Sequence, residues 1–140
     1  MSDEVKVRWG WLRFMYVFTI VGAGSFGVSI ILIPATVGSS LAFPRQDPIT
    51  LGITGSVYTA FALLSVLGLR SPLKFAPVLL LQLCYKVVWT VAVILPLLVA
   101  GKLPTHGMIL AVIFAFYIIG DLIAIPFRLV LSRETPGGHS

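Results

Sequence analysis

Two ionisable side chains stand alone inside apolar runs long enough to cross a bilayer. Lys86 lies near the middle of residues 76–100, APVLLLQLCYKVVWTVAVILPLLVA, and Asp121 interrupts the apolar run 108–127. A charge at bilayer depth costs about 2.5–3.5 kcal/mol on insertion scales, so each of these needs a partner or a function. On a helix Gln82, Lys86, Trp89 and Thr90 share one face, spaced at i−4, i, i+3 and i+4. Tyr117 stands one turn before Asp121, and Gly120 leaves space beside it. Measured along each helix from Pro77 and from Arg128, Lys86 and Asp121 differ in depth by about 3 Å, at 1.5 Å per residue. The expectation is a buried ion pair between neighbouring antiparallel helices. Tyr58, with Thr54 one turn before it, is placed at similar depth and is expected to join them. Pro96 and Pro126 each remove a backbone donor and free a carbonyl one turn earlier, at Ala92 and Leu122, which predicts kinks near the polar pair.

The elements that must position these residues follow from composition. Of the 140 residues 58% are hydrophobic and 11% charged, against roughly 25% charged in a soluble domain. Mean hydropathy is +1.03. Four apolar stretches, 14–34, 49–69, 77–100 and 107–131, each match or exceed the roughly 20 residues that a spanning helix requires. They are continuous rather than alternating, and backbone groups in lipid must be satisfied internally, so they read as helices. The predicted architecture is one all-α domain over 1–140, an integral membrane four-helix up-down-up-down bundle. Asp47-Pro48 supplies a capping carboxylate followed by proline at a helix start; Ser71-Pro72 offers the same for an early start to the third helix, with Pro77 as the alternative entry point. Residues 35–48 form the longest loop, Pro104 and Thr105 open the last helix, and the tail RETPGGHS reads as loose.

The net charge of +5 is distributed as a topology signal rather than a nucleic-acid patch. Lys6, Arg8, Arg13, Arg70, Lys74, Arg128 and Arg133 fall on the side holding both termini, while Arg45 and Lys102 fall opposite. The positive-inside rule places both termini in the cytoplasm. Trp9, Trp11 and Tyr16 suit the headgroup layer. The first apolar run exceeds a signal-peptide core and lacks a cleavage-site pattern, so it is expected to remain as a span. Cys84, inside the third span, has no cysteine to pair with.

Several familiar patterns fail on context. Gly22-Ala23-Gly24-Ser25-Phe26-Gly27 is a literal G-x-G-x-x-G, yet it lies inside a membrane-length run and lacks the α/β surroundings a dinucleotide site requires. Small residues there suit close helix packing in lipid. Gly22, Ser25 and Ser29 on the first span are expected to face Gly52, Gly55, Ser56 and Thr59 on the second. The two histidines, His106 and His139, lie away from membrane depth, so neither a bis-histidine haem nor a Ser-His-Asp set can be assembled. No Cys, His and carboxylate residues have metal spacing. Neither a cofactor nor a catalytic residue is expected.

The stretch Gln82-Leu83-Cys84-Tyr85-Lys86-Val87-Val88-Trp89, together with Ile125-Pro126-Phe127-Arg128, resembles a group of small uncharacterised bacterial four-span proteins. Their third span carries E-L-x-W-K-x-x-W and their fourth ends in I-P-W-R. In layout they are similar to DoxX-like membrane proteins. The resemblance implies a four-helix bundle in a bacterial inner membrane and brings no activity. Gln82 here stands where that group tends to have glutamate, and Tyr85 where it has tryptophan. Three readings follow. One is a non-enzymatic bundle binding a lipid-like or quinone-like ligand between helices, with Lys86, Asp121, Gln82, Tyr117, Tyr58 and Trp89 as candidate contacts. A second is an accessory subunit of a larger membrane complex. The third is a proton-coupled transporter or channel protomer, which with four spans would act as a homo-oligomer.

Overall fold

Leucine-, valine- and isoleucine-rich segments bounded by prolines and short polar turns leave the backbone one solution in lipid, which is to bond to itself. A computed structural model describes residues 7–40, 44 and 46–133, and every regular element among them is helical. Helix α1 runs Trp9–Leu32, α2 Pro34–Ser40, α3 Pro48–Arg70, and α4 Ala76–Trp89. A π-helical turn, Thr90–Ile94, joins α4 to α5, Leu95–Val99. Then come α6, Thr105–Ala124, and α7, Phe127–Val130. Four helices are long and apolar enough to cross a membrane: α1, α3, the continuous unit Ala76–Val99, and α6. This is a multi-pass membrane protein. Lys6, Arg45, His139 and the tail 134–140 lie outside the described residues.

The spans pack in a ring in chain order: α1 against α3, α3 against α4, α4 against α6, and α6 back against α1. That is the expected up-down-up-down bundle. One end, here the terminal end, gathers the start of α1, the end of α3, the start of α4 and the end of α6. The other, the α2 end, carries α2 and the turn after α5.

Helix boundaries follow local chemistry. Asp47 caps α3, its Oδ2 accepting from the Thr50 amide at 2.9 Å and the Thr50 hydroxyl at 2.8 Å, with Pro48 at the first helical position. These donors, the backbone amide first, hold the exposed Asp47 carboxyl below the usual carboxylate range. At the C-terminal end of the third span, Ala76–Val99, Gly101 with φ of 69° closes a Schellman turn in which Lys102 N–H donates to the Leu97 carbonyl. The loop predicted over 35–48 is partly helical, because Pro34 starts α2 directly after α1.

Both intramembrane prolines act differently from a simple kink. Before Pro96 the helix widens into the π turn, and Leu95 N–H reaches back five residues to the Thr90 carbonyl. Pro126 ends the fourth span outright. The residue before a proline is driven from the helical region, and Ile125 adopts φ −71°, ψ 126°. The span therefore closes at Ala124, not at 131, and Asp121 sits in its last turn.

The tight α1–α3 seam uses a different face of α1 from the one expected. A Cβ on Gly27 would stand 2.7 Å from both the Gly55 carbonyl oxygen and the Thr59 nitrogen. Gly24 faces Ala62 and Gly55 faces Ile30. Of the expected packing residues, Gly55 and Thr59 lie in this seam. Gly22 packs instead under the Tyr117 hydroxyl of α6. Ser25 and Ser29 line an outer groove of α1, and Gly52 and Ser56 line another at the α2 end. The reason is geometric: the Gly24–Gly27–Ile30 strip lies around the helix from Gly22–Ser25–Ser29, and only the former meets α3.

Candidate functional site

Buried residues concentrate towards the terminal end, in a cluster of Leu12, Met15, Tyr16, Leu79, Leu83, Tyr117, Ala124 and Ile125. Tyr16, expected at the headgroup layer, is instead fully buried. Gly68 makes the room, since any side chain there would collide with the Tyr16 ring. The Tyr16 hydroxyl donates to the Pro72 carbonyl at 2.7 Å, tying α1 to the turn between α3 and α4. Trp9 and Trp11 do face outward.

Within this packing, Thr19, Gln82, Lys86 and Asp121 are between 0% and 1% exposed, far below what polar side chains ordinarily show. Gln82 on α4 is the hub. Its Nε2 donates to Asp121 Oδ2 of α6 at 3.1 Å and to Thr19 Oγ1 of α1 at 3.3 Å. Thr19 in turn donates to the Met15 carbonyl one turn back, at 2.8 Å. One amide thus links three spans. Asp121 Oδ1 is buried with no hydrogen-bond partner, as is Ser65 Oγ on α3. Gly120 does leave space beside Asp121, and the Met15 sulfur occupies it.

Lys86 does not form the expected ion pair. Its ammonium donates to the Tyr85 hydroxyl at 2.8 Å and lies among ring faces: Tyr85 at 4.3 Å, Tyr117 at 4.4 Å, Phe114 at 4.9 Å and Phe61 at 6.0 Å. A desolvated cation–π contact is worth about 2 kcal/mol, comparable to the insertion cost of the charge. The box can therefore carry the lysine without a touching carboxylate. The register explains the difference. The depth estimate counted from Arg128 through an unbroken helix, but α6 ends at Ala124. Asp121 stands opposite Gln82, and Tyr117, one turn deeper, stands opposite Lys86.

The other expected members divide. Tyr117 is in the box, its hydroxyl donating to the Phe18 carbonyl at 3.2 Å. Trp89 packs edge-on against Phe114 at 4.9 Å and so borders the box. Tyr58 lies one layer out, its ring 6.5 Å from Tyr85 and 5.3 Å from Phe26. Thr90 donates to the Lys86 carbonyl at 2.7 Å, at the start of the π turn. Thr19, Phe61 and Phe114 were not singled out in the sequence, and Tyr85 stood out only as a departure from the resembled motif. Thr19 had a signal, being the polar residue four after Met15 on the buried face of α1. Phe61 and Phe114 had none, since a phenylalanine in a span reads as lipid-facing or core alike.

At the chain ends Arg8, read as a topology charge, also has a structural task. Its Nη1 donates to the Ile123 carbonyl at 3.0 Å, satisfying an acceptor at the end of α6 where Pro126 breaks the helix. His106 lies half-buried at the start of α6, at the opposite end from the polar hub. No grouping of three or more metal-ligating side chains occurs among the described residues.

A groove of about 1020 Å³ lies away from Lys86 and Asp121, at the α2 end between α1, α2 and α3. Ile30, Ile31, Ile49, Ile53 and Val57 form its walls, and Ser39, Gln46 and Ser56 contribute polar atoms. A shallower groove of about 560 Å³ runs along the outer face of α1 past Gly22, Ser25 and Ser29.

The chain matches no known family model, and no curated protein or solved structure matches it significantly.

Proposed function

We propose that this is a non-enzymatic protein of a bacterial inner membrane, of DoxX-like layout, that binds a lipid-like or quinone-like molecule between its helices. The groove between α1, α2 and α3 is the observation that carries this reading. Its volume sits at the upper end for small-ligand sites, and its lining is mostly apolar with a few polar groups, as in such sites generally. Its polar donors are engaged with the backbone: Ser39 with the Thr36 carbonyl, Ser56 with Gly52, and one Gln46 N–H with Pro44. What they present to a guest is mainly oxygen lone pairs, which favours a head group that donates hydrogen bonds. Both termini face the cytoplasm, on the distribution of Arg8, Arg13, Arg70, Lys74, Arg128 and Arg133.

Native mass spectrometry on protein extracted in mild detergent tests the binding. A stoichiometric amphiphile should accompany the native chain. Gly52→Trp should reduce its occupancy at least about tenfold without unfolding the bundle, because no neighbouring atom lies within 4 Å of a Cβ placed there. A native chain free of any bound amphiphile would overturn the proposal.

A second reading, an accessory subunit or a homo-oligomer, is favoured by the outer groove of α1. Gly22, Ser25 and Ser29 would let another helix approach closely there. Crosslinking from Ser25→Cys in a Cys84→Ser background separates the two: a partner helix gives a discrete adduct, and lipid contact gives none.

A further inference from the structure

The two oxygens of Asp121 have unequal surroundings. Oδ2 accepts from Gln82, whereas Oδ1 is fully buried and unpartnered. An ionised carboxylate oxygen held so is strongly destabilising, and a neutral carboxyl much less so. A mobile donor lies one turn away on α4. The Lys86 ammonium carries three donors on a flexible four-carbon stem, and its directed hydrogen bond goes to Tyr85. The aromatic box holds the ammonium, and Asp121, with which it interacts electrostatically, offers an unpartnered oxygen as a second acceptor. The box suits the ammonium when the carboxyl is neutral. The carboxylate suits it when ionised, because opposite charges attract strongly away from water.

We propose that Asp121 Oδ1 is a binding site for one exchangeable proton, and that its occupancy decides whether Lys86 rests in the aromatic box or on the carboxylate. In the first state the carboxyl is neutral, the lysine is an ammonium, and the core carries one positive charge. On release the O–H bond of Oδ1 breaks and the proton passes to the aqueous phase at the terminal end, where Asp121 occupies the last turn of α6. The lysine keeps its proton, moves to the carboxylate, and the core becomes neutral overall. Among the described residues, the other titratable groups around the pair are phenols: Tyr16 from α1, Tyr58 from α3 through Tyr85, Tyr85 from α4 and Tyr117 from α6. Phenols as a class titrate far above carboxylates. Arg8 lies outside this core, on the Ile123 carbonyl. The proposal stands independently of the groove.

Side-chain nitrogen-15 NMR of Lys86 in lipid nanodiscs tests it, because ammonium protons over ring faces are shifted upfield. The native chain should show the ring-shifted signal at low pH and lose it in a single one-proton step as pH rises. Asp121→Asn should keep the ring-shifted signal at every pH. Tyr85→Phe removes the hydroxyl acceptor and weakens the box state, which is the protonated state. Its midpoint should therefore fall, by about one pH unit or more. A native signal that stays ring-shifted throughout would overturn the proposal, as would a step that persists in Asp121→Asn. Should Asp121→Asn not fold, the Tyr85→Phe midpoint decides: a lowered midpoint supports the switch and an unchanged one overturns it.

Discussion

The terminal half of the bundle and its α2 half are built from the same apolar alphabet and end up in opposite conditions. In the terminal half, Tyr16, Leu79 and Gln82 are completely buried, and glycines such as Gly68 admit whole rings. In the α2 half, α5 buries no side chain at all, and a groove of about 1020 Å³ stays open between α1, α2 and α3. Apolar content cannot account for the contrast, because lipid solvates a leucine as well as another leucine does. Packing in a membrane comes from close approach and interhelical hydrogen bonds. The terminal half has both, through Gln82, Tyr16 and Tyr117. At the α2 end Gly27 and Gly55 bring α1 and α3 close, but the hydroxyls of Ser39, Ser56 and Thr54 turn back onto their own helices and so make no hydrogen bond between spans.

Substitutions can break this contrast. The largest effect should come from Gln82→Leu, which removes the amide joining α1, α4 and α6 and leaves Asp121 with neither oxygen partnered. A loss of about 3 kcal/mol is expected, whereas Ser56→Leu in the open half should stay within about 0.5 kcal/mol. Reversible unfolding in mixed micelles measures both. Equal losses would show that the halves are equally cohesive.

A smaller effect is expected for Tyr16→Phe, which keeps the ring against Gly68 and deletes only the hydrogen bond to Pro72. The loss should be about 1 kcal/mol. It should be accompanied by faster amide exchange at residues 71–76, where that bond anchors the turn.

The smallest effect is local, at the α2 end. The folded Asp47 carboxyl lies below its unfolded value, so its contribution is complete above the unfolded value and is lost as pH falls through the folded one. Acidification through that range, or Asp47→Ala at neutral pH, should fray the first turn of α3, read as faster exchange of the Thr50 and Leu51 amides. Exchange that ignores both changes would remove the cap from the account of that end.

How much was legible follows from which forces act over short distances in the chain. Four spans, the bundle and the Asp47-Pro48 helix start could be read directly, because hydropathy and capping depend on neighbours in sequence. Lys86, Gln82, Tyr117 and Asp121 could be recognised as one polar group, since polar residues inside apolar runs stand out and helical spacing sorts them onto faces. Their pairing could not. It depended on α6 stopping at Ala124, which turned Asp121 towards Gln82 and left Lys86 to the rings of Tyr85, Phe114 and Tyr117. The α1–α3 seam was equally out of reach. Both Gly22–Ser25–Ser29 and Gly24–Gly27–Ile30 present small residues at helical spacing, and only the rotation of α1 against α3 chose between them. Periodicity is written into one chain segment at a time. Rotation, register and helix length relative to a neighbour exist only once two segments meet.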